Sequence, residues 1–449
     1  MMTYDVIIIG AGPSGMMAAI TAGMRGRRVL LLEKNDVVGK KLAFTGGGRC
    51  NLTNSASVDE IINNIPGNGR FLYGALSRWN NKDICDFFEE LGLKLKEEDH
   101  GRIFPAAEDA LTVIAALEKR MAELGVAVAC RTEVTKVLSR AGKIMGVRLR
   151  TGKVLCAEGI VIATGGKSYS SMGSTGGGYA FAKTLGHTIT PLSPGEVPLL
   201  SGDSFTGKDQ LQGLSLQDVS VSVLGTKGKR IVTHRGDILF THFGLSGPAV
   251  LCASTFALKE LEKRRRLSGE SAVDADDSSV RQSIPNKKES DIRKIIPVIQ
   301  IAIDILPDKK EDEIIREIQN YGQSGGEKSL KNGLRGFLPE RLLLYFLREL
   351  DLDLERQLKT LTSGEAWSLA TLCKNFAVDI TGSLPLDKAF VTCGGVSLKE
   401  IDSKTMESKL VRGLYFCGEV LDLNGHTGGF NLTAAFVTGR IAGESILRV

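Results

Sequence analysis

Residues 4–54 read YDVIIIGAGPSGMMAAITAGMRGRRVLLLEKNDVVGKKLAFTGGGRCNLTN. The run Tyr4–Ile9 is apolar and β-branched, which suits a strand buried on both faces. Gly10-Ala11-Gly12-Pro13-Ser14-Gly15 follows at once, then Ala18, Ala19 and Ala22 at helical spacing. The order strand, tight turn, helix is the context in which three spaced glycines mean something. Gly10 permits the turn, Gly12 lets backbone approach a pyrophosphate, and Gly15 lets the helix sit close on the strand with its positive end facing the phosphates. A second β run, Arg28–Leu32, ends in Glu33, placed to accept both hydroxyls of an adenosine ribose and to repel a 2′-phosphate. The site therefore reads as one for FAD or NAD.

Thr45-Gly46-Gly47-Gly48-Arg49 is a second glycine-rich turn just behind the first. A plain NAD half-domain has no use for it, whereas an extended FAD needs more backbone along its pyrophosphate, ribityl chain and ring. Cys50 is followed five positions later by Ser55, so the second thiol of a dithiol–disulfide flavoenzyme is missing. Cys50 is expected to be a small packed residue.

With 449 residues the chain can hold two or three domains, and 42% apolar with 24% charged residues describes a soluble globular protein. A net charge of +5 is small for this length, and no Lys/Arg block interleaves with aromatics, so no nucleic-acid partner is expected. No apolar run reaches the length of a membrane span, and the first is only a strand long with Asp5 before it. Eight cysteines without a C-x-x-C pair argue against a disulfide framework or a metal site and fit a reducing, cytoplasmic setting. The oligomeric state is not legible.

Further along, Lys82–Gly92 and Ala106–Gly125 have helical periodicity, with Gly101–Pro105 a loop between them. Val126–Leu138, Ile144–Leu149 and Val154–Ala163 read as β runs forming an antiparallel meander on a doubly wound sheet. The third run ends in Ala163-Thr164-Gly165-Gly166, where small residues let backbone pass close to a nucleotide. Ser174-Thr175-Gly176-Gly177-Gly178-Tyr179 leads into a helix without a strand before it or an acid after it, so it is no second dinucleotide site. From about residue 191, Val219–Leu224, Ile231–Thr233 and Ile238–Phe240 are β runs, Thr241–Pro248 a turn and Ala249–Leu261 a helix. The charged stretch 262–294 reads as a solvated connection. Ile295–Leu306 is a strand, 311–372 holds about four helical segments, and Phe376–Thr381 is a last β run. Near the end, Gly413–Glu419 is a strand closing in Gly418-Glu419, followed by a loop with His426, Gly428 and Gly429, and then by a helix through Phe430, Asn431 and Ala434 whose positive end would face a flavin.

These stretches, with GKKLAFTGGGRCNLTN, GRIFPAAEDA, THFGLSGPA and AFVTCGGVSLKEI, resemble the BaiN-type NAD(P)/FAD-dependent oxidoreductases, whose namesake is a bile-acid enone reductase. The resemblance implies an α/β FAD-binding domain of the glutathione-reductase type built from residues 1–190 and 387–449. It also implies an inserted β-barrel-like domain (191–306 and 373–386) and a small helical subdomain (307–372). FAD contacts carry over to Ala11, Gly12, Pro13, Ser14, Gly15, Glu33, Lys34, Lys41, Gly46, Gly47, Gly48, Arg49, Asn51, Val134, Thr164, Gly165, Glu419, Gly429, Phe430 and Asn431. Gly10, Gly418 and Gly428 join them on the reading above.

The expectation is a flavoenzyme moving a hydride between FAD and a small organic substrate, reducing an activated C=C bond with NAD(P)H as transient donor. An oxidase of small amines releasing hydrogen peroxide, and a non-catalytic flavin-binding module, stand as alternatives. Arg49, His242 and His426 are the candidate catalytic groups, Arg49 for stabilising negative charge and the histidines as proton donors, each weighed against a purely structural role.

Overall fold

The structure, a computed structural model, describes residues 4–207, 210–267 and 298–446. It divides into two compact units: residues up to Gly195 together with those from Leu386, and Glu196–Pro385.

At the centre of the first unit lies Tyr4–Ile9, parallel to Val29–Leu32 on one side (Val6 opposite Val29) and to Val154–Ile162 on the other (Ile7 opposite Ile160). Ala127–Ala129 extends the sheet beyond Val29–Leu32, and Leu414–Phe416 pairs parallel with the last residues of Val154–Ile162. The first half of that long strand instead runs antiparallel to Lys143–Leu149, which pairs with Val134–Arg140. One strand thus serves both the nucleotide-type sheet and the meander, and the seven strands form a single sheet.

Three local expectations change. The run 126–138 is broken by Arg131 in a left-handed conformation (φ 51), because Arg131 N–H donates to Asn35 O and Thr132 N–H to Glu33 O. The segment Gly101–Pro105 is not all loop. Arg102–Pro105 is the middle strand of a small antiparallel sheet between Thr53–Asn54 and Leu95–Glu98, with Ile103 and Phe104 buried. The helix expected from Ala106 begins at Ala110, where Asp109 accepts from Leu111 N–H as its cap.

The helices Pro13–Met24 and Phe430–Ser445 pack through glycine. A Cβ on Gly439 would stand 2.3 Å from Ser14 O, and one on Gly443 would stand 2.6 Å from Ala18 O. Each pair advances by four residues in both helices, so the helices run parallel.

In the second unit, six strands close a barrel in the order Leu199–Ser201, Gly244–Ser246, Arg230–Thr241, Ser215–Leu224, Ile299–Asp304 and Phe376–Ser383. The two expected runs 231–233 and 238–240 are one strand, passing through Gly236, and the turn 241–248 contains a strand of its own. The following helix is Pro248–Leu267, longer than expected. Of the charged stretch, residues 268–294 lie outside the described residues. The helices Glu311–Gly325, Leu330–Gly333, Glu340–Glu349 and Ser363–Lys374 share one core with the barrel, where Phe346 lies 5.2 Å from Phe376, ring to ring. Among the described residues no helix is long and apolar enough to cross a membrane.

Candidate functional site

The parallel strands of the first unit end together at Ile9, Leu32, Ile162 and Phe416, so the residues after each meet at the sheet's carboxyl edge, where ligands of open α/β sheets bind. Gly10 turns there with φ 103, and a Cβ on it would lie 2.5 Å from Ala163 O. Gly15 is pressed on the same turn, its missing Cβ 1.9 Å from Gly10 O. Gly12 is the opposite case, since a Cβ there would meet nothing within 4 Å. Two of the three glycines are thus demanded by packing, and the middle one leaves open space at a helix start that Pro13 occupies and no side chain caps.

Glu33 is buried at the next strand end, where its carboxylate accepts from Ala11 N–H (2.9 Å) and Asn35 N–H (2.8 Å). It is held by the fingerprint turn itself, with lone pairs remaining on both oxygens. Lys34 Nζ donates to Thr175 Oγ1 at 2.7 Å.

The densest polar node lies around Glu419. Lys41 Nζ sits 3.1 Å from Glu419 Oε2 and 2.9 Å from Ser168 Oγ. Thr392 N–H donates to Glu419 Oε1 at 2.9 Å and Gly166 N–H to Oε2 at 3.3 Å. Burial pushes the Glu419 carboxyl upward, but the Lys41 ammonium and these N–H donors outweigh it and hold the group below the usual carboxylate range. Thr392 Oγ1 in turn accepts from Lys167 N–H (2.8 Å) and Ser168 N–H (3.1 Å). Ser168 and Thr392 are fully buried, and residue-type reasoning passed over both. Thr392 lies inside a quoted stretch and Ser168 two residues past the Gly165-Gly166 turn, yet nothing local marks a serine and a threonine more than two hundred positions apart as partners. Gly165 (φ 69) and Thr164 lie beside this node, and the Thr164 hydroxyl is buried without a hydrogen-bond partner.

Gly46, Gly47 and Gly48 are all left-handed (φ 58, 70 and 90), which lets the chain double back and bring Cys50 N–H to Thr45 O. The Cys50 thiol is enclosed, and burial pushes it up to about 12 even though Thr45 bonds it, so it is no thiolate nucleophile. The Asn51 amide, in the orientation that satisfies all its neighbours, accepts from Gly429 N–H at 3.0 Å and donates to Thr53 O and Ile103 O. Gly429 (φ 97) presses on Thr53 and starts the helix Phe430–Ser445 without a side-chain cap. Asn431 closes the preceding loop by bonding Gly425 through both amide atoms, and Gly428 O accepts from Asn54. Gly418 (φ 75) lies against Ser14, its N–H bonded to Thr438 Oγ1.

Helix register fixes the spacing of the two uncapped ends. Gly439 lies beside Ser14 in the parallel pair, so Phe430 begins eight residues further out than Pro13. At 1.5 Å per residue the two positive ends face the same edge about 12 Å apart along the axis. That is a cradle for one elongated anion-bearing molecule.

The candidate catalytic groups fare less uniformly. Arg49 does not present a bare charge, because its guanidinium bonds Glu98 at 2.9 Å and stacks 4.3 Å over the Phe104 ring. His242 is exposed in the second unit with its ring beside Phe243. His426 is buried in the first unit and donates its backbone N–H to Asn64 O. Val134 is buried at the start of its strand, opposite Leu149.

Residues 4–445 match the family described as HI0933-like protein Rossmann domain. The chain belongs to this family of FAD-dependent oxidoreductases. It is 31% identical over 99% of its length, and 98% of the relative's, to a protein of Escherichia coli named ribosomal RNA dihydrouridine synthase. It is 28% identical to the protein of the same name from Haemophilus influenzae over 98% of both chains. It is 27% identical, again over 98% of both chains, to the 3-dehydro-bile acid delta(4,6)-reductase of Clostridium scindens.

Proposed function

We propose that this flavoprotein reduces a carbon–carbon double bond conjugated to a carbonyl, drawing its electrons from NAD(P)H. Two observations support this. The chain aligns end to end with relatives whose names describe such reductions, of a uracil ring and of an unsaturated bile acid. Its first unit also offers the elongated cradle that FAD requires, and the observation that carries the reading is the pair of parallel helix ends, uncapped and about 12 Å apart, on the edge where Gly12 leaves open space.

Bound there, FAD supplies hydride transfer. In this reading Gly12, Pro13 and Ser14 present backbone to the pyrophosphate, and Glu33 takes the ribose hydroxyls with its remaining lone pairs. Thr164 finds the partner its buried hydroxyl lacks. Lys41 and Glu419 orient the ribityl end, the Gly46–Gly48 turn walls the ring, and the Phe430 helix end favours negative charge beside it. Gly10, Gly15, Gly165, Gly418, Gly428 and Gly429 act by letting backbone pass close. Asn51 and Asn431 hold the loops that shape this wall.

Anaerobic mixing with NADH or NADPH should bleach the flavin absorption, and adding an enone should restore it with uptake of two hydrogens by the substrate. Absence of bleaching with either nucleotide would refute the reading. A second reading, favoured by the two relatives named for ribosomal RNA, places the reducible ring in an RNA uridine. It sets aside the expectation of a small substrate alone, and mass analysis of RNA after turnover, showing a gain of two mass units on uridine, separates the two.

A further inference from the structure

We propose that Tyr169 and Phe390 form a ring platform that selects a flat, conjugated substrate ring over its puckered, reduced product. The proposal rests on the reductase reading above. Phe390 exposes half its surface (49%), and its ring stands edge-to-face with Tyr169 at 6.0 Å and 73°. Phe390 is exposed in a chain that buries most of its phenylalanines, Tyr169 beside it is half-buried, and the pair is held in place. Tyr169 holds a left-handed backbone (φ 53), a conformation that an aromatic residue keeps only where its surroundings impose it. Its N–H donates to Asp387 O.

Both rings stem from the two segments clamped around Glu419. Tyr169 follows Ser168, whose N–H bonds Thr392 Oγ1 and whose hydroxyl donates to Phe390 O at 3.4 Å, and Phe390 lies two residues before Thr392. Lys41, the cation of the same node, has its Nζ 5.9 Å from the Tyr169 ring centroid. The rings are therefore tied to the cluster proposed to orient the cofactor through the buried hydroxyls of Ser168 and Thr392. An edge-to-face pair offers a π face and a positive ring edge side by side, which complements a planar sp² ring. Reduction converts two ring atoms to sp³, the ring puckers, and the face contact is lost. The platform thus favours substrate binding and product release by one geometric criterion.

The test is binding to the flavin-loaded protein, read by perturbation of the flavin absorption, with two probe pairs. These are uridine 5′-monophosphate against its 5,6-dihydro form, and cyclohex-2-en-1-one against cyclohexanone. The native protein should bind the flatter, conjugated member of at least one pair about tenfold more tightly. Phe390→Leu should reduce that preference to near unity, Phe390→Tyr should restore it, and Tyr169→Phe should keep it. Flavin content should stay unchanged throughout. The proposal is overturned if the native protein shows no preference in either pair, or if Phe390→Leu retains it. Loss of flavin with the ring would also overturn it, because the pair would then serve the cofactor. The readout is equilibrium binding, so failure of NAD(P)H to reduce the flavin refutes the reductase reading without touching this result.

Discussion

Replacing Gly439 by alanine sets two effects against each other. In a helix interior alanine is favoured over glycine by about 1 kcal/mol, so an exposed site would gain stability. Here the new Cβ would stand 2.3 Å from Ser14 O, and about 3.4 Å is ordinary contact, so the helices Pro13–Met24 and Phe430–Ser445 would have to part by about 1.1 Å. The obstacle is helix backbone, which cannot rotate away as a side chain would. Overpacking of this kind costs up to about 3 kcal/mol, leaving a net loss of about 2 kcal/mol, roughly thirtyfold in the folding equilibrium. Separation also shifts Ser14 beside the fingerprint turn, so flavin should bind more weakly. The assay is urea titration followed by flavin fluorescence, which reports on the first unit, with Gly74→Ala as control because a Cβ at Gly74 meets nothing within 4 Å. Gly74→Ala should be neutral or slightly stabilising. A Gly439→Ala protein as stable as the native one, with undiminished flavin affinity, would refute the parallel glycine contact.

Glu419→Gln should lower the stability of the first unit by about 2 kcal/mol, since it strands the Lys41 ammonium in a three-quarters-buried setting. Because the folded carboxyl titrates below its ordinary value, its contribution is fully present above about pH 4.5 and lost as pH falls through the folded pKa, and the variant should lack that part of the acid limb. His187 is buried with Nδ1 unpartnered, and burial lowers its pKa. The unfolded chain then takes up a proton first as pH drops below about 6.5, stability falls there, and His187→Gln should flatten that portion of a stability–pH profile. Iodoacetamide on the native protein at pH 8 should spare Cys50, Cys373 and Cys417, each pushed up to about 12 by burial, and mass mapping that finds any of them alkylated as fast as a small thiol would contradict the enclosure described.

The parts of the fold that are local could be read from the chain. A strand that runs into Gly10, Gly12 and Gly15 and a second that stops at Glu33 announce themselves within thirty residues, as does the strand closing in Gly418-Glu419, because turn chemistry and periodicity act between neighbours. What escaped is set by distant partners. Arg49 could be read as a free charge only because Glu98, its counter-ion, lies far along the chain on a strand hidden in the segment 95–105. Arg131 interrupts the β run expected over 126–138 for the sake of two carbonyls just beyond the second strand. Ser168 and Thr392 look like ordinary polar residues until the fold buries them together.

The same distinction explains why head and tail must fold as one body. The helix after the fingerprint has only its own N-terminus to offer, enough for a pyrophosphate and no more. The second positive end, about 12 Å further out, comes from residues 430–445, and only the glycine register against Ser14 and Ala18 sets that offset. A shift of one helical turn in that register would displace the second end by about 5.4 Å, a large fraction of the cradle. Small residues at positions 439 and 443 therefore supply what neither glycine-rich motif contains by itself: they fix the length of molecule that the site can grip.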